Sequence, residues 1–246
     1  MILENSSPVP FESMVAIGAI PGWSIFRQFG ENPDIGSGTE QIWPLGVIQV
    51  LPSAAGVASF SSSSAADTSA GTGAQSICIN GLADGYVSAT EIIATNGTGT
   101  VTTTTEFLRI NEAYAINVGS GGVNAGNITI SIGGNPQCYI GAASGQSQVS
   151  QYTCPSGHSL LLRLLDSTTG RISGNVDLAA KWQFRTGPGK SWRSVVDLYP
   201  YQGQVNIEGY YFLPEKVDIR GIVTSTGTGL NCHIEYSGFI INNDYI

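Results

Sequence analysis

The stretch Asn127-Ile128-Thr129-Ile130-Ser131-Ile132 alternates polar and apolar side chains without a fault. Successive side chains of an extended chain point to opposite faces, so three isoleucines share one face while Asn127, Thr129 and Ser131 occupy the other. A helix would scatter both sets; the stretch reads as a half-buried β-strand. The same period returns at Val176, Leu178, Ala180, Trp182 and Phe184, with Asp177, Ala179, Lys181, Gln183 and Arg185 opposite. Ile77 and Ile79, Leu108 and Ile110, Val217 and Ile219, and Ile234 and Tyr236 give shorter versions, and Leu160 to Leu165 reads as a further strand.

Turn residues separate these runs at short intervals: Asn80-Gly81, Asp84-Gly85, Asn96-Gly97, Gly119-Ser120-Gly121-Gly122, Gly133-Gly134, Ser156-Gly157, Gly187-Pro188-Gly189 and Gly227-Thr228-Gly229. Asn-Gly and Asp-Gly suit the positive φ of hairpin turns. Closely spaced strands with one apolar and one polar face predict an all-β body, an antiparallel β-sandwich of jelly-roll type over residues 53–246. The body is either one sandwich or two packed sub-sandwiches with a boundary near 143–156. Composition agrees: 32 of 246 residues are glycine, and only 11% are charged against an average of about 25%.

Residues 1–52 read differently. Phe11, Trp23, Phe26, Phe29 and Trp43 are spread among Pro10, Pro21, Pro33 and Pro44, and the prolines exclude regular helix. So much apolar surface does not belong to a solvated tail. The expectation is an extended N-terminal arm whose five aromatics grip a neighbouring subunit; packing into the chain's own core is the alternative.

The net charge of −8 lies entirely in residues 1–162, which carry Arg27 and Arg109 against ten acids, while 163–246 balance eight against eight. Without clustered Lys and Arg, nucleic acid and anionic membrane are not expected as partners. The first residues lack a basic and apolar leader pattern, and no apolar run reaches the ~18 residues of a spanning helix. Synthesis in a cytoplasm is expected. Cys78, Cys138, Cys154 and Cys232 are widely spaced and read as buried thiols in place of a disulfide frame.

Chemistry is hard to find. A triad must use His158 or His233, and neither has a catalytic frame. His233-Ile234-Glu235 matches half of a deaminase signature whose cysteine half is missing, so it reads as two polar side chains on one strand face beside buried Ile234. The loop Asn32 to Glu40 offers oxygens at alternate positions, yet it departs from a calcium loop and reads first as a turn. No catalytic residue, metal site or cofactor is expected. The chain reads as a non-enzyme whose charge-poor polar faces suit close packing against other subunits, because few ions need desolvation.

The segments Phe29 to Trp43, Ser61 to Thr68, Ile79-Asn80-Gly81-Leu82, Phe107-Leu108-Arg109-Ile110-Asn111 and Asn124 to Thr129 resemble, in this order, virion structural proteins of marine and freshwater tailed bacteriophages. The resemblance runs from about Gly22 to Ile241. The resembling proteins tend to show a Pro-Ala-Gly turn where this chain has Cys154-Pro155-Ser156-Gly157. It implies a place in the virion and no catalytic residue. The role expected from it is a capsid decoration or cement protein, a homotrimer held to the major capsid protein and other virion proteins. A different class is a tail-associated receptor-binding or fibre component reading host glycan through Trp192, Tyr199, Tyr201, Tyr210 and Tyr211. A glycan-degrading enzyme is a third.

Overall fold

The computed structural model describes residues 9–170, 177–198 and 204–246; Val176 of the alternating stretch lies outside them. A short helix α1 (Phe11–Ala16) is followed by β1 (Trp23–Ile35) and β2 (Gly38–Gln41). Then come β3 (Gly56–Ser62), β4 (Ala74–Leu82), β5 (Ser88–Ala94), β6 (Val101–Phe107), β7 (Arg109–Val118), β8 (Ile128–Ile132) and β9 (Asn135–Ile140). The chain closes with β10 (Tyr152–Thr153), β11 (His158–Thr169), β12 (Leu178–Arg185), β13 (Arg193–Leu198), β14 (Gln204–Leu213), β15 (Asp218–Ser225) and β16 (Leu230–Asn242). The expected all-β, antiparallel class is observed.

The strands form four sheets around two cores. One sheet runs β1-β16-β11-β14, and the sheet facing it runs β15-β12-β13, with β2 and β10 end to end along the free side of β15. Phe26, Leu162, Trp182, Val223, Ile234 and Tyr236 fill the core between them. The other two sheets, β6-β3-β8-β9 and β5-β4-β7, enclose Phe60, Ile77, Ile79, Phe107, Ile128 and Ile130. The second unit is therefore inserted into the first, which takes β1 and β2 from one end of the chain and β10 to β16 from the other.

The alternation does the work expected of it. Ile128 and Ile130 are fully buried and Thr129 and Ser131 only half so, and Leu178, Ala180 and Trp182 face inward from β12. Gly133 and Gly134, at φ 57° and 79°, make the two-residue turn that pairs Ile132 with Asn135, a conformation β-carbons oppose. Asn80-Gly81, in contrast, is no turn. It lies inside β4 at a register shift, where a β-carbon on Gly81 would fall 2.2 Å from the Arg109 carbonyl oxygen; that glycine is there for close backbone approach.

The arm expected over residues 1–52 is corrected over 9–52, residues 1–8 lying outside the described ones. β1 pairs with β16 over most of its length and β2 with β15, so the segment completes both sheets of the larger unit. Helix is not excluded either: α1 starts directly after Pro10, where a proline costs no hydrogen bond. Its Val15 packs with Phe239, Ile241, Trp23 and Leu161 on the outer side of the first sheet. The physical reason is burial. Phe26 and Trp43, 6% and 0% exposed, are withdrawn from water in the chain's own two cores and need no partner to cover them.

One carboxylate organises the far loops of the inserted unit. Asp67 is fully buried and accepts hydrogen bonds from Ser62 Oγ (2.5 Å) and from the backbone amides of Ala74 (2.7 Å), Ala125 (2.8 Å) and Gly126 (2.9 Å). Burial alone pushes its pKa up; these four donors outweigh burial and hold it below the ordinary value. A carboxyl depressed in the fold stabilises it above the unfolded pKa of about 3.9, and that contribution is lost as pH falls through the folded value. Asp67→Asn is therefore expected to lower stability at neutral pH and to flatten the acid limb of the unfolding midpoint against pH. An unchanged acid limb in urea titrations would remove Asp67 from this role.

Candidate functional site

The two units meet at a buried ion cluster. Arg109 on β7 and Asp218 on β15 are 1% and 0% exposed, with Nε to Oδ1 at 2.9 Å and Nη2 to Oδ2 at 3.3 Å. Thr153 Oγ1 donates to Asp218 Oδ1 at 2.6 Å, and Arg185 Nε donates to Oδ2 at 2.8 Å. Arg109 Nη1 donates to the carbonyls of Pro52 (2.7 Å) and Leu108 (2.8 Å), and the Tyr86 ring lies 5.7 Å from its guanidinium carbon. Each charged group thus finds several partners, the condition under which a buried pair repays its desolvation.

Amide side chains extend the lock. Asn111 on β7 donates to the Thr153 carbonyl (3.0 Å) and accepts from the Thr153 amide (2.9 Å). Gln28 on β1 reaches the carbonyls of Asn111 and Val149 at 3.2 and 2.7 Å. Buried Gln49 accepts from Gln41 of β2 and donates to the Gln137 carbonyl of β9 at 2.7 Å. Trp43, fully buried in the inserted core, donates to the Val47 carbonyl at 2.7 Å and pins the crossing strand of chain.

The outer face of the first sheet offers a different surface. Ile25, Phe239, Leu161 and Phe212 stand side by side across its four strands. α1 covers the middle of this row, leaving Ile25 50% and Phe212 55% exposed, with Tyr210 at 71% beside them. A groove of about 400 Å³ runs next to the row, crossed by Arg27–Glu235 (2.7 Å) and by the Arg163–Glu12 pair. An apolar strip rimmed by charges is the anatomy of a contact surface.

The five arm residues do not form one surface. Phe26 packs against Tyr152 and Tyr236 at 4.6 and 5.9 Å, and Trp43 fills the other core. Phe11, Trp23 and Phe239 make an edge-to-face triad at 5.3 to 5.7 Å on the outer face, and Phe29 stacks on His233 at 5.9 Å. Only Phe11 is exposed. Of the glycan candidates, Tyr210 points outward, Tyr211 packs inward, and Trp192 lies between Arg185 and Arg220 at 4.7 and 4.0 Å. Tyr199 and Tyr201 fall outside the described residues.

The reactive groups are engaged in structure. Burial pushes Cys138, Cys154 and Cys232 up to about 12, which keeps these thiols protonated. His158 Nδ1 lies 3.1 Å from the Ser156 carbonyl. In the Asn32 to Glu40 loop, Glu40 accepts from Asn32 Nδ2 (2.7 Å) and from the Gly36 amide (3.0 Å), so both of its oxygens close the turn. Arg109 and Asp218 were invisible as a pair in sequence. The one signal was a single cation, Arg109, between Leu108 and Ile110 in a long stretch otherwise without basic residues.

No family model and no curated protein matches the chain. Solved structures with slight likeness to the chain include the following two. The crystal structure of the Yersinia pseudotuberculosis-derived mitogen is 15% identical, with a TM-score of 0.22 over 36% of this chain and 83% of the mitogen. The structure of the infectious bursal disease virus Gx strain is 11% identical, with a TM-score of 0.25 over 89% of this chain and 72% of that one. At such scores neither bears on fold or function.

The junction predicts a contrast between two ion pairs. Asp218→Asn leaves Arg109 buried without its counter-ion and is expected to cost about 3–5 kcal/mol. Arg27→Gln breaks a pair whose arginine is 67% exposed and is expected to cost no more than about 1 kcal/mol. Equal losses in urea unfolding would contradict the assignment of the junction as the stabilising contact.

Proposed function

We propose that this chain is a structural subunit of a bacteriophage virion, a capsid decoration or cement protein that reinforces the head through subunit contacts. The observation that carries the reading is the strand order of the larger unit. Counted along the chain, with β2 and β10 sharing one place, its eight positions fall as first, eighth, third, sixth in one sheet and second, seventh, fourth, fifth in the other. Two Greek keys wound into a jelly roll give this order, and it supports that finer description of the all-β body; capsid and lectin domains use the same architecture.

Fold alone does not carry function. The segments that resemble virion proteins add to it, because four of the five supply a structural node. Asp67 and the Ala125 and Gly126 amides that it accepts tie loops, Gly81 admits the Arg109 backbone, and Arg109 and Asn111 join the two units. A likeness concentrated at such nodes favours a building block over a catalyst. With Phe26 and Trp43 inside, the self-contacts of a homotrimer fall to Phe11, Ile25, Tyr210 and Phe212 on the outer face. On this reading the chain sits in the virion with the major capsid protein as partner, and neither nucleic acid nor membrane is invoked. Exposed Tyr210 favours, as the second reading, a tail component that binds host glycan.

Quantitative mass spectrometry and cryo-EM of virions from the source of this sequence test the reading. Hundreds of copies distributed over the shell are expected. A few dozen copies at the tail, or none in the particle, would overturn it.

A further inference from the structure

The outer face of β12 and β15 holds more cation than it can pair. Arg185 stands opposite Asp218 and Gln183 opposite Arg220 across these two strands. With Arg109 arriving from the inserted unit, two arginines share one aspartate and Arg220 stands on the same strand face. Arg109 and Arg185 both bond Asp218. Half-buried Arg220 meets no carboxylate among the described residues: its Nε and Nη2 donate to the neutral Gln183 Oε1 at 3.0 and 2.9 Å, and its guanidinium carbon lies 4.0 Å from the Trp192 ring centroid. Trp192 also carries Arg185, at 4.7 Å, so one indole holds two like charges close together. Burial, and after it the charge of Arg185, lowers Arg220 to about 10. Charges withdrawn from water are ordinarily paired, and here an acceptor of opposite sign is missing.

The inserted unit holds the complementary excess. Between residues 56 and 140 the one basic residue is Arg109, which is buried in the junction, whereas Asp84, Glu106 and Glu112 are exposed. Glu112 accepts a hydrogen bond from Asn80 Nδ2 at 3.2 Å, and Asp84 and Glu106 make no ion pair among the described residues. The surplus guanidinium belongs to the larger unit and the exposed acids without an ion pair to the inserted one, so two copies of the chain carry complementary charge.

We infer that Arg220, with Arg185 and Trp192, receives a surface carboxylate from the inserted unit of a second copy of this chain, in a head-to-tail contact. Such a contact joins two unlike patches, so it closes into a ring or continues into a lattice according to the rotation between copies. Complementary charge sets register and encounter rate. The inference rests on the reading of the chain as an assembly subunit, but not on where the assembly is used.

Sedimentation velocity of the full chain tests it at about 0.01 M and about 1 M salt, where the Debye length is about 30 Å and about 3 Å. Self-association is expected at low salt and should weaken at least about tenfold at high salt. Arg220→Gln, checked for unchanged thermal unfolding, should weaken low-salt association about tenfold. Charge reversal gives the sharper arm: Arg220→Glu alone and the triple Asp84→Lys, Glu106→Lys, Glu112→Lys alone should each fail to associate, and their mixture should associate. A wild-type monomer at both salts, association indifferent to both variants, or an Arg220→Gln effect confined to retention on a sulfated polysaccharide column would overturn the contact. If copies associate in this way yet the chain is missing from virions, the virion reading falls and the contact stands.

Discussion

The structure depends on an ion pair withdrawn from water. Arg109 and Asp218 have essentially no exposure, and neither could remain charged there without the Thr153 hydroxyl, Arg185 and the carbonyls of Pro52 and Leu108. Those partners come from the inserted unit, the larger unit and the chain that crosses between them. A contact that is costly when incomplete allows one arrangement of the two units and penalises every other. The amide bridges of Asn111, Gln28 and Gln49 follow the same logic at lower cost, since each satisfies backbone groups that the junction would otherwise bury unpaired.

Insertion gives the lock its purpose. Both crossings, after Gln41 and before Tyr152, run close together: Ser150 donates its amide to the Ile42 carbonyl at 3.2 Å, and Tyr236 of β16 donates to the Ser150 carbonyl at 2.5 Å. Two adjacent chain crossings without further contacts would form a hinge. With Trp43 pinned in one core and Tyr236 in the other, the hinge is filled. A two-unit body without a hinge would transmit load between its faces, as the proposed reinforcing role requires.

Much of the fold was legible because its signals are local. Alternation over Ile128 to Ile132 and Leu178 to Phe184, and the paired glycines at 133 and 134, depend on neighbours only a few residues away, and they read correctly. Other features depend on distant partners. The aromatics of residues 1–52 looked like an arm because sequence does not reveal that β16, some two hundred positions later, lies ready to pair with β1. Asn80-Gly81 carried turn chemistry, but Gly81 serves the passing Arg109 backbone. The pair that fixes the junction is separated by 109 positions, and no periodicity links its members. Surface chemistry was least legible: Arg220 looked like any other cation until the register set it opposite Gln183, without an ion pair among the described residues.

Differential scanning calorimetry of the full chain tests the central claim, that two separately cored units behave as one body. The account predicts a single transition whose calorimetric and van't Hoff enthalpies agree, because neither unit can melt without stranding Arg109 or Asp218. Two resolved transitions, one for each core, would contradict it.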